Sequence, residues 1–179
     1  MRLSLFDCPD GTVTEPGNRV VYDVAADEAR FGAASVPGRA LVFELHEEER
    51  AGAVLSAELE LGEGTPWIVR CDRVDFPPGG VAHLHTHPGP GIRCLLFGEI
   101  TIETGGRSAT YGPAAAWFER GPDPVHATAS AVEETAFVRV MLLPAEWEGK
   151  RTIRYVREED AERPKLQRAR VYFDVPLRR

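Results

Sequence analysis

The densest set of chemically capable side chains is the segment GGVAHLHTHPGPG, residues 79–91, where His83, His85 and His87 alternate with small or apolar residues before a Pro/Gly turn. Alternation of period two places all three imidazoles on one face of a strand. A neutral imidazole, with an ordinary pKa of about 6.5, offers a ring-nitrogen lone pair at physiological pH, so this spacing suggests ligation of a divalent metal. Two ligands come from one strand at a spacing of two, and a third must come from elsewhere. The remaining histidines are His46, in the charged run HEEER, and His126, in GPDPVHA, and His126 is the better placed. Beyond the turn, Arg93 shares a strand face with Leu95 and Phe97. An arginine pointing into a protein interior needs an anion, either a substrate carboxylate gripped bidentately or a protein carboxylate in a buried pair. Arg93 is therefore the candidate catalytic, substrate-orienting residue, with Arg139 in FVRVML an alternative. Phe97, Trp117 and Phe118 are candidate pocket walls.

The elements that must position these groups are strands. From Leu41 the chain breaks into short β-branched or apolar runs separated by Gly, Pro and Asp clusters, among them WIVRCDRVDF, IRCLLF, EITIET, AAAWFE and AFVRVMLL. Ile100 and Ile102 alternate with Thr101 and Glu103, the pattern of a strand wet on one side. The run from Ile92 to Phe97 is apolar on both faces, which calls for the barrel interior on one side and a further layer or second subunit on the other, so a homodimer is expected. Helical periodicity is weak, the best stretch being 158–170, interrupted by Pro164. Residues 1–40 read as an arm laid over a barrel formed by 41–145. Residues 146–179 read as a C-terminal extension whose IRYV and VYFDV offer additional strands, either to cover a barrel edge or to exchange with a partner subunit.

Gly79, His85, His87 and Gly98, separated by five, one and ten residues, resemble the first motif of the cupin family, and YGPAAAWFERGPDPVHATAS resembles its second. The resemblance spans residues 69–143 and implies an all-β, double-stranded β-helix (jelly-roll) barrel. Carried over by position, the family's histidines fall on His85, His87 and His126, a metal set for which Fe(II) is favoured and Zn, Ni, Mn and Cu also suit imidazole. The family's motif-one glutamate falls on Gly91, and the second motif is longer by about two residues between Glu119 and His126. A bare three-histidine centre resembles that of cupin dioxygenases. Glu119 or His83 are possible additional ligands. The reading that follows is a metal-dependent dioxygenase acting on a small anionic substrate. The alternatives are a non-catalytic ligand-binding or sensing barrel, and a metal-dependent isomerase or lyase.

Composition sets the outer bounds. At 179 residues with 43% hydrophobic and 27% charged content, one packed domain is expected. A net charge of −7 leaves no positive field for a phosphate backbone, so nucleic acid is not an expected partner. No apolar run approaches membrane-spanning length, no secretory leader is evident, and Cys8, Cys71 and Cys94 show no C-x-x-C spacing. A cytoplasmic protein with reduced thiols and a small-molecule ligand is expected.

Overall fold

The computed structural model describes residues 1–62 and 64–178. The turn-punctuated apolar runs form seventeen strands among them. The first seven are β1 (Arg2–Cys8), β2 (Thr12–Thr14), β3 (Arg19–Asp23), β4 (Glu28–Phe31), β5 (Ala34–Val36), β6 (Ala40–His46) and β7 (Leu55–Glu58). Five of them make an antiparallel sheet in the order β4-β3-β6-β1-β7, and β2 pairs with β5. The N-terminal region is thus a sheet rather than an arm. Leu41 lies inside it, because β6 pairs with β1 and β3 and not with any barrel strand.

The barrel begins at Trp67 instead. Its strands are β8 (Trp67–Phe76), β9 (Val81–Thr86), β10 (Gly91–Phe97), β11 (Ile100–Thr104), β12 (Arg107–Tyr111), β13 (Ala116–Glu119), β14 (Val125–Ala129) and β15 (Thr135–Pro144). The chain closes with β16 (Arg154–Tyr155), the short helix α1 (Glu158–Glu162) and β17 (Arg168–Pro176). Two five-stranded antiparallel sheets result, β13-β10-β15-β8-β17 and β12-β11-β14-β9-β16. The helical stretch expected over 158–170 reaches only Glu162, since Pro164 follows and residues from Arg168 join the sheet. β16 and β17 cover the edges of β9 and β8, the first of the two roles open to the tail. None of the described helices is long and apolar enough to cross a membrane.

Period-two alternation sorts the side chains into two cores. Val74, Phe76, Leu95, Trp117 and Phe137 of the first sheet meet Ala82, Ile100, Ile102, Val125 and Ala127 of the second inside the barrel. On the outer face of the first sheet, Ile92, Cys94, Val138 and Val140 pack against Leu3, Leu5, Val20 and Phe43. The layer that the two-faced apolar character of β10 requires is therefore the chain's own N-terminal sheet, and that strand gives no ground for a dimer. Each fully buried Leu, Ile or Phe contributes about 1.5–3 kcal/mol, so the added layer is a substantial part of the stability. Cys94 faces this layer, and burial pushes its thiol up to about 12, which removes it as a nucleophile.

Candidate functional site

The barrel encloses a cavity of about 480 Å³ whose walls include Val74, Phe76, Ile102, Val125 and Phe137 and whose polar end carries His85, His87, Glu119, Arg139 and Asp72. Of the three alternating histidines, only His85 and His87 point into it. The β9–β14 ladder explains why. Val125 pairs with His85 and Ala127 with Ala82, so β9 carries one residue more than β14 across the same interval. This β-bulge reverses the facing of β9 between Ala82 and His85, and His83 lies on the outer surface.

His126 lies there too. Val125 and Ala127 occupy the interior positions of β14, so the residue between them faces out. Its Nδ1 is 3.0 Å from Glu103 Oε2 and its ring is 6.3 Å from that of His83. The structure therefore does not bring the three expected metal ligands together.

A buried carboxylate stands opposite Gly91 on the neighbouring strand. Gly91 and Glu119 are direct register partners on β10 and β13, and directly opposed residues share a face. Glu119 is buried, accepts a hydrogen bond from Trp117 Nε1 at 2.8 Å, and places Oε2 3.8 Å from His87 Nε2. Gly91 itself has no room for a side chain: a Cβ there would stand 2.3 Å from the Val140 carbonyl oxygen and 2.9 Å from Met141 Cα.

Arg93 does not line the cavity. It is fully buried, donates to the Gly91 carbonyl at 2.6 Å and holds Glu119 Oε2 at 2.7 Å, the protein-carboxylate outcome rather than the substrate one. Burial pushes its pKa down to about 10, against the opposing pull of Glu119, and it remains charged at neutral pH. Phe97 is also absent from the cavity: β10 has an extra residue between Leu95 and Phe97 relative to β15, and Phe97 lies 38% exposed beneath Arg73. Phe118 packs on the outer core, whereas Trp117 lines the cavity.

The cavity's own arginine is Arg139. Its Nε and Nη2 donate to the two oxygens of buried Asp72 at 2.5 and 3.0 Å, and its Nη1 lies 3.4 Å from His87 Nε2. The available signal for Arg139 was a lone charge inside an apolar strand, FVRVML, and for Asp72 a carboxylate between Arg70 and Arg73 in the otherwise apolar IVRCDRV. Such charges are seldom buried without a partner.

The two inward imidazoles are neutral at pH 7. Burial lowers the pKa of His85, helped by Arg139 and Arg93 and opposed by the His83 carbonyl and Glu119. Burial lowers that of His87 further, with Arg139, Arg93 and His85 acting in the same sense. His85 Nδ1 lies 2.7 Å from the His83 carbonyl oxygen, which only accepts, so Nδ1 carries the hydrogen and Nε2 the lone pair. Arg139 can only donate toward His87 Nε2, so their 3.4 Å contact is a hydrogen bond when that atom carries the lone pair. In that tautomer two lone pairs face each other at 3.2 Å. Two imidazole nitrogens bound near-tetrahedrally to one ion at about 2.0–2.1 Å lie about 3.3 Å apart, so this pair has the donor chemistry and spacing for a shared cation. No preformed group of three or more His, Cys, Asp or Glu ligands occurs among the described residues.

A pH dependence follows. Because the folded pKa values of His85 and His87 lie below the ordinary 6.5, the unfolded chain binds more protons once the pH falls past that value. Metal-free protein is expected to be most stable above about pH 6.5 and to lose up to about 1.4 kcal/mol per pH unit for each histidine below it, until the folded values are reached. Urea unfolding at several pH values checks this, with a His85→Gln, His87→Gln double variant giving a flatter profile.

Two facing antiparallel sheets closed around an inward-pointing H-x-H pair make this a cupin-fold protein. No family model and no curated protein matches the chain. Among solved structures it is similar to the polyketide cyclase RemF from Streptomyces resistomycificus, at 18% identity over 56% of this chain and 68% of that one, with a TM-score of 0.42. It is similar to the DMSP lyase DddQ from Ruegeria pomeroyi at 20% identity over 49% of this chain and 43% of that one, TM-score 0.42. An RmlC-like cupin from Shewanella frigidimarina aligns at 12% identity over 50% of this chain and 94% of that one, TM-score 0.40. Likeness at this level says nothing of activity.

Proposed function

We propose that the barrel binds a small, largely apolar molecule carrying one anionic group, and that His85, His87 and Glu119 hold a divalent metal beside it. The observation that carries this reading is the convergence of two imidazole Nε2 atoms at 3.2 Å next to a buried carboxylate. Two histidines and one carboxylate on one side of an ion leave open positions, a donor set suited to Fe(II) and dioxygen chemistry. Arg139 takes the orienting role expected of Arg93, because Asp72 holds its Nε and Nη2 while Nη1 faces the histidines. The apolar walls lower the local dielectric and strengthen that contact. An isomerase or lyase fits the same cavity. A metal-free binding barrel is favoured by one observation, the approach of Arg139 to His87 Nε2.

Metal titration separates these readings. Chelator-treated protein is expected to take up one equivalent of Fe(II) or Zn(II) by calorimetry. His85→Ala abolishes uptake, Glu119→Gln weakens it by about tenfold or more, and His126→Ala leaves it unchanged. Loss of uptake in His126→Ala, or its persistence in His85→Ala, contradicts the assignment. Oxygen consumption by Fe(II)-loaded protein, screened with small carboxylic acids, then separates the dioxygenase from the lyase, isomerase and binding readings.

A further inference from the structure

The C-terminal extension contributes part of the cavity wall: Gly149 to Ile153 and Gln167 line it together with the strand residues. This segment is held by Arg70, which donates to the carbonyls of Trp147 and Lys150 at 3.1 and 2.7 Å and pairs with Asp174 at 2.5 Å. Asp174 in turn accepts from the Gly149 amide at 2.8 Å. All these partners are satisfied. Gln167 is not: its Nε2 donates to Tyr155 Oη at 3.4 Å, but its Oε1 is buried with no hydrogen-bond partner among the described residues. A buried amide oxygen left unpaired has lost its hydration without compensation, a penalty that a donor on a bound molecule removes. Tyr155 ties this group to the polar end, since its ring lies 6.4 Å from that of His85.

We propose that Gln167 is a specificity-determining residue that selects, within this cavity, ligands carrying a hydroxyl or amino donor in addition to the anionic group. The inference rests on the small-anion reading given above and narrows it to hydroxylated or aminated apolar acids. Discrimination by a built acceptor is strong, because a ligand lacking the donor leaves the acceptor unpaired in the closed complex. The ligand's polar groups therefore meet Arg139 and Gln167 near the histidines, with its apolar body against Phe76, Trp117 and Phe137.

The test is calorimetric titration of the whole protein with phenylacetate, its three ring-hydroxylated isomers and their methyl ethers. At least one hydroxyphenylacetate is expected to bind about tenfold more tightly than both phenylacetate and its own methyl ether. In Gln167→Leu that ratio is expected to fall to about twofold or less. Equal affinities for hydroxylated and unsubstituted acids, or a preference that survives in Gln167→Leu, overturns the role of Gln167 while the small-anion reading stands. If no acid in the series binds, the small-anion reading itself fails, and the role of Gln167 fails with it.

Discussion

An Asp72→Ala variant is expected to lose about 3–5 kcal/mol of stability, because it leaves the Arg139 guanidinium buried without its counter-charge. Asp72 is 1% exposed and Arg139 7%, and the two are joined by paired hydrogen bonds on adjacent strands in direct register. Both groups have low exposure on the cavity wall and sit on paired strands, so the charge that remains is poorly solvated and not free to turn outward. The apolar double variant Asp72→Leu, Arg139→Met is expected to regain most of that loss, since it removes both charges and fills the space. Denaturant unfolding of the two variants decides the matter. A single variant as stable as the unaltered protein would mean that Arg139 finds another partner. The double variant carries a second expectation: with the guanidinium gone, small carboxylic acids no longer bind in the cavity even though the barrel is intact.

Restoring glutamate at Gly91, where the cupin motif places one, is expected to damage the barrel rather than complete a metal site. A Cβ at this position meets the Val140 carbonyl at 2.3 Å and Met141 Cα at 2.9 Å, both backbone atoms of a central strand that cannot rotate away. Relief requires β10 and β15 to separate where their pairing runs from Gly91–Met141 to Leu95–Phe137. The expected cost is about 3 kcal/mol or more, the upper end for overpacking. Gly91→Ala isolates the cause: a single methyl group meets the same backbone atoms, so most of the loss should appear without any added charge. If thermal unfolding shows Gly91→Ala unchanged and Gly91→Glu destabilised, electrostatic repulsion from Glu119 is the reason instead of the strand approach. Metal titration of Gly91→Glu supplies the complementary readout, with no gain in affinity expected.

The sequence by itself determined the strand-rich barrel, the absence of a long helix, the strand character of the tail and the placement of His85 and His87 beside a Pro/Gly turn. Those features rest on local properties: β-branched and apolar composition, turn residues at regular intervals, and period-two alternation over a few residues. The tertiary structure alone decided which side chains share the cavity. One extra residue in β9 turned His83 outward, and one in β10 did the same to Phe97. A bulge depends on how two distant strands pair, while alternation counted along one strand assumes that no bulge intervenes. His126 was misplaced for a related reason, since the facing of β14 is set by its register with β9 and β11, some 25 to 40 residues away in the chain. The placement of Glu119 opposite Gly91 follows from cross-strand register as well. The N-terminal layer shows the same division: the apolar outer face of β10 announced that something must cover it, and only long-range packing revealed that the cover is the first sixty residues of the same chain.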